Sequence, residues 1–167
     1  GLGDVYKRQD YLWPVEAADE GLVTDTGLRI IQEFLPAGAD NRPGGSNPDT
    51  YITIHETGNF AKGADAAAHA AYLRGSSAQA APVSWHYTVD DHSIYQHLPD
   101  GERAYHAGDG GSGPGNATSI GVEICVDAGG DFEQARANAA SLVRLLMERH
   151  DIPLDRVVQH NLSLIHI

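Results

Sequence analysis

Three short β-branched runs, far apart in the chain and separated by helical or glycine-rich stretches, constrain this sequence more than any other feature. Tyr51-Ile52-Thr53-Ile54-His55 and Val157-Val158-Gln159-His160 each end on a histidine, and Ile120-Gly121-Val122-Glu123-Ile124 carries a carboxylate inside an apolar stretch. Runs of this kind, bounded by turn residues, read as buried strands. A sheet brings residues that are distant in sequence to one edge. Two imidazoles and one carboxylate gathered there make most of a hydrolytic metal site.

The segments between these runs complete a fold class. Residues 28–35 read as a short strand or extended entry segment, and 36–48, rich in Gly, Pro, Asn and Asp, as a loop. Residues 64–74 form a helix with Asp65 in its first turn and Gly75 after its end. Residues 85–89 and 94–98 pair as a hairpin around Asp90-Asp91-His92-Ser93. Five glycines fall within 108–115, a mobile or tightly folded loop, and 119–126 is a second central strand. The longest helix covers 131–150, with Ala135, Ala139, Leu142 and Leu146 on one face. Pro153 follows it, and 157–159 forms a last strand. Strands before, between and after two helices imply an α/β fold: a single domain with a central mixed sheet flanked by helices. The length of 167 residues suits one such core.

Bulk properties exclude some functions. The formal net charge of −12 lacks the basic footprint that nucleic-acid binding needs, and Lys7-Arg8 does not reverse it. No apolar run reaches the length of a membrane span, so no membrane insertion is expected. The single cysteine, Cys125, forbids an internal disulfide and sits in a strand-like apolar setting that suits a small core residue. No segment follows the basic, then apolar, then small-residue plan of a signal peptide. An exported protein with this sequence relies on another route or on a signal outside it. The ends, 1–9 and 162–167, extend no neighbouring pattern and resemble translated sequencing-adapter DNA. They are expected to be non-native, with the domain occupying 28–161 and the natural chain continuing past Asn161.

Six histidines and one carboxylate are candidates for chemistry. His55 and His160 stand where a buried strand meets a polar loop, which suits a metal ligand and equally a ring N–H that caps the strand. Glu123 shares its strand face with Gly121 and Cys125. Buried, it must pair, bind a metal or keep a raised pKa, the property a general base needs; on an edge strand it would simply face solvent. His106 precedes the glycine loop. His86 alternates with Trp85 and Tyr87, so that one of these faces lines a cleft and the other the core. His69 lies on the first helix, and His150 ends the second, where the dipole alone accounts for it.

The stretches IHETGN, ADAAAHAAY, SWHYTVDD, IYQHLPDGERAYHAGDG, NATSIGVEIC and VVQHN, in this order, resemble the zinc-dependent N-acetylmuramoyl-L-alanine amidases of the type-2 amidase superfamily. The likeness is to the phage and Bacillus-type cell-wall lytic branch, which is related to peptidoglycan recognition proteins. It implies a mixed sheet, one zinc ion in an open cleft, peptidoglycan as substrate, and action at the cell wall or outside the cell. His55 and His160 match the zinc-binding histidines and Glu123 the catalytic glutamate; His106 and Trp85 match motifs that line the substrate cleft. One departure stands out. The family has a third zinc ligand, a cysteine or aspartate, a short step past the second histidine, usually preceded by a lysine. Here Leu-Ser-Leu-Ile-His-Ile occupies that place, through truncation or with His166 as substitute. Two other readings compete: a non-catalytic peptidoglycan-binding module of the same fold, and a metal-free domain whose histidines only pack. Stem-peptide preference and oligomeric state are not legible.

Overall fold

The computed structural model describes residues 21–160. The expectations for the two chain ends, for Asn161 and for a third ligand beyond it lie outside these residues. Strands β1 (Ile30–Gln32), β2 (Tyr51–Glu56), β3 (Tyr87–Val89), β4 (Ile94–Gln96), β5 (Ser119–Ile124) and β6 (Val157–Gln159) form one six-stranded sheet in the order β1-β4-β3-β5-β2-β6. Every pairing is parallel except the β3–β4 hairpin, so the sheet is mixed as expected. The longest helices are α1 (Ala66–Leu73) and α4 (Phe132–His150); the short α2 (Ser76–Gln79) and α3 (Pro114–Thr118) lie between them.

Local chemistry sets the helix ends. Asp65 lies at the N-cap rather than inside the first turn, and its Oδ1 accepts from the Ala68 N–H at 2.8 Å. Asp131 does the same for α4, accepting from Gln134 N at 3.0 Å. Asp151, left-handed at φ 53°, closes the far end. The last turn there carries Arg149 and His150 on the side the dipole favours. Beyond Pro153 the chain makes a 3-10 turn (Leu154–Arg156) that delivers β6 to the sheet.

Strand alternation divides the sheet into two unlike faces. In register, Ile52 pairs with Ile120, Ile54 with Val122, and Tyr87 again with Val122; these side chains share one face. That face carries the main core, closed by Ala135, Ala139, Leu142 and Leu146 of α4. The other face holds Thr53, His55, Thr88, Ser119, Gly121 and Glu123, all but Glu123 and the side-chain-less Gly121 being buried polar residues. A second, smaller apolar cluster of Leu35, Leu73, Trp85, Leu98 and Ala104 flanks it beside α1. The site therefore belongs to one face of one sheet. A one-residue register slip would exchange its residues with the core.

Candidate metal centre

The polar face converges at the C-terminal edge of β2, β5 and β6. His55 and Glu123 are direct register partners on neighbouring parallel strands. Ile54 pairs with Gln159, so the residue that follows β6, His160, comes up beside His55, with ring centroids 4.7 Å apart and planes at 50°. Glu123 sits on a central strand, not on an edge, between β3 and β2. This removes the solvent-facing alternative for its carboxylate. Its Oε2 is buried with no hydrogen-bond partner, and burial pushes its carboxyl up to about 7. His55 is 8% exposed, and burial first, then His160, hold its imidazole down at about 3. Imidazoles beside an unpaired carboxylate oxygen are the donor types a zinc ion takes. As two of the three protein ligands of a catalytic site, His55 and His160 fit.

His106 packs edge-on against His55. Its Nδ1 is 2.9 Å from His55 Nε2, with the rings edge-to-face at 86°, and its Nε2 is 3.4 Å from Ser119 Oγ. The ring packs on the bare backbone of Gly121, where a Cβ would meet His106 Cγ at 2.7 Å. Glycine is required there for close approach, not for backbone freedom. Burial, with His55 and His86 next, keeps the His106 imidazole well below its usual range. Trp85 lies 8% exposed away from these histidines, its Nε1 donating to Thr88 Oγ1 at 2.7 Å. It walls a cleft of about 370 Å³ together with Thr57, Asn59, His69 and Tyr72. A larger opening of about 510 Å³ reaches His55 and His160 past Glu56, Phe132 and Arg136.

The fold is shared with known proteins. Residues 45–166 match the Amidase_2 family, described as N-acetylmuramoyl-L-alanine amidase. The chain belongs to this family. It is 55% identical over 133 residues to the N-acetylmuramoyl-L-alanine amidase XlyA of Bacillus subtilis (strain 168), an alignment covering 80% of this chain and 43% of XlyA. It is 53% identical over 133 residues to the N-acetylmuramoyl-L-alanine amidase CwlH of the same organism, covering 80% of this chain and 52% of CwlH. The solved catalytic domain of XlyA superposes with a TM-score of 0.77 at 54% identity, over 81% of this chain and 86% of that one. The chain thus spans about half the length of the curated relatives it matches.

Within this amidase fold the remaining candidates are structural. His86 is fully buried; its Nε2–H donates to Glu102 O at 2.8 Å and its Nδ1 accepts from Gly121 N at 3.0 Å, so it pins the strand that carries Glu123. Of the two faces here, His86 shares the polar one with Thr88 and Gly121, and Tyr87 takes the main core. Cys125 is 2% exposed with its thiol pushed up by burial, as suits a core residue. His150 does more than satisfy a dipole: its Nε2 lies 2.8 Å from Asp100 Oδ2 and its Nδ1 3.3 Å from Asp49 Oδ2. Asp65, Asp90 and His92 bring one ligand atom each to within 4.8 Å of one another. However, the Asp90 carboxylate already accepts from Ala66 N, His92 N, Ser93 N and Ser93 Oγ, which makes it the knot of the β3–β4 turn.

Sequence reasoning missed Asn116 and Asp109. Asn116 Oδ1 accepts from the backbone N–H of both His106 and Ala107, at 2.7 and 2.8 Å. The Asp109 carboxylate accepts from Gly115 N and Asn116 N. The glycine loop is therefore tightly folded: a Cβ at Gly113 would fall 2.2 Å from Asp109 and one at Gly115 2.5 Å from Ala107 Cβ. An Asx residue on each side of a glycine cluster was the available signal.

Proposed function

We propose that this domain hydrolyses the amide bond joining the lactyl group of N-acetylmuramic acid to L-alanine in peptidoglycan, using zinc, at the cell wall. The observation that carries this reading is the register pairing of His55 with Glu123, with His160 brought alongside on β6. The names of its relatives, amidases at 55% and 53% identity, support the same reaction. His55 and His160 would hold the ion, and a further ligand would complete the set. A bound zinc supplies a polarised carbonyl and a water acidified to a pKa of about 7. Glu123, with its Oε2 buried and unpartnered, would act as the general base and acid of the hydrolysis, taking up a proton at its carboxylate and passing it to the leaving amine. A carboxyl near 7 suits both roles at neutral pH. Trp85 offers an apolar wall to the substrate in the neighbouring cleft, and His106 supports the site by packing against His55. Among the described residues no helix is long and apolar enough to cross a membrane.

The test is Glu123→Gln. The variant is expected to retain zinc and lose lysis of purified cell walls by at least ~100-fold, the scale of a general base. Near-full activity would show that Glu123 is not the base. Absence of zinc from both this chain and a C-terminally extended form would remove the zinc amidase reading in favour of a wall-binding module.

A further inference from the structure

We infer that His106 is a positioning residue: it fixes His55 with its proton on Nε2 and so reserves His55 Nδ1 for the metal ion. The inference rests on reading His55 as a metal ligand, but its core is a count of protons that needs no ion.

The count starts at Ser119, which is fully buried at the head of β5. Its hydroxyl donates to Gly115 O at 2.6 Å. A carbonyl only accepts, so this hydrogen is committed. Thr53 Oγ1 donates to the same Ser119 Oγ at 2.9 Å, which leaves Ser119 as an acceptor toward everything else. His106 Nε2, 3.4 Å from Ser119 Oγ, must then be the protonated nitrogen of its ring. A neutral imidazole has one N–H, so His106 Nδ1 is a bare acceptor. His55 Nε2, 2.9 Å away, is therefore the donor, and the lone pair of His55 is left on Nδ1. A chain of four groups, Gly115 O, Ser119, His106 and His55, thus sets which nitrogen of His55 can bind a cation.

The surroundings hold this arrangement rigidly. Asn116 Oδ1 clamps the backbone at His106 and Ala107. Gly121, lacking a Cβ, leaves the room in which the ring lies against β5. Ligating histidines gain basicity and a fixed tautomer when their other ring nitrogen donates to an outer partner. In this chain that partner is another imidazole.

Two measurements test the inference. The first is the ring-nitrogen NMR spectrum of the metal-free chain, in which His55 should carry its proton on Nε2 and His106 on Nε2. A proton on His55 Nδ1 overturns the proposal, whether or not zinc ever binds. The second compares His106→Asn, whose Oδ1 stands close to the place of Nδ1 and still accepts, with His106→Leu, which cannot. Zinc dissociation constants, measured by chelator competition, should rise ~10- to 100-fold in the Leu variant and only a few-fold in the Asn variant. An unchanged constant in the Leu variant overturns the proposal. So does an equal loss in both, because packing rather than acceptance would then be responsible. If neither the wild-type chain, nor its C-terminally extended form, nor their variants take up zinc, the amidase reading fails while the spectrum still decides the role of His106.

Discussion

Glu123 should destabilise the metal-free protein, and the size of the effect follows from its setting. An unfolded chain ionises this carboxyl with an ordinary pKa of 4.5, whereas burial in the folded state moves it to about 7. Below 4.5 both states hold the proton and the group contributes nothing to the pH dependence. Between 4.5 and about 7 the unfolded chain releases its proton while the folded one retains it, so folding loses stability as pH rises. Above about 7 both states are ionised and the penalty is constant. The displacement corresponds to ~3 kcal/mol at the plateau, by 1.36 kcal/mol for each pKa unit. Glu123→Gln keeps the shape and cannot ionise. In chelator-treated protein it should therefore melt ~5–10 °C above wild type at pH 8, with the gap closing by pH 4. Thermal unfolding followed by circular dichroism across this range checks it. Parallel melting curves at every pH, or a gap that widens toward acid, would refute the claim that the carboxylate is held unpaired. Zinc should shrink the gap in wild type, since a nearby cation favours the ionised form.

Gly121→Ala should cost ~1–3 kcal/mol by overpacking and weaken zinc binding as well, because a Cβ 2.7 Å from His106 Cγ pushes a ring that cannot retreat. Urea unfolding with an unchanged midpoint would show that the ring has room to move. His150→Leu should lose ~2–4 kcal/mol, since it strips the imidazole from Asp100 and Asp49, whose side chains are only 8% and 15% exposed. A loss below ~0.5 kcal/mol would mean that these carboxylates find water instead.

The clearest features of the sequence became the clearest features of the fold. Tyr51–Glu56 and Ser119–Ile124 are strands because β-branched residues alternate there with residues destined for the opposite face. Phe132–His150 is a helix because its apolar residues repeat at helical spacing behind an Asp cap. The short helix Pro114–Thr118 was not legible: it follows four glycines of the loop and exists because Asp109 and Asn116 fold that loop from within. The place of His106 was not legible either. Its contacts depend on Gly121 of β5, whose bare backbone takes the ring, and on His55 of β2, which its Nδ1 meets.

Taken by itself, the sequence determined which side chains share a face, because strand alternation is a local property of the backbone. It also determined that two histidines and a glutamate end or interrupt apolar strands. Which strands lie next to each other, and in what register, was decided only by the tertiary structure. Local periodicity carries no information about neighbours, and the order β5-β2-β6 joins segments that lie far apart in the chain. The raised carboxyl of Glu123, the depressed imidazole of His55 and the proton count running from Ser119 to His55 all follow from that adjacency. They arise from burial and hydrogen bonds between segments that the chain itself keeps far apart.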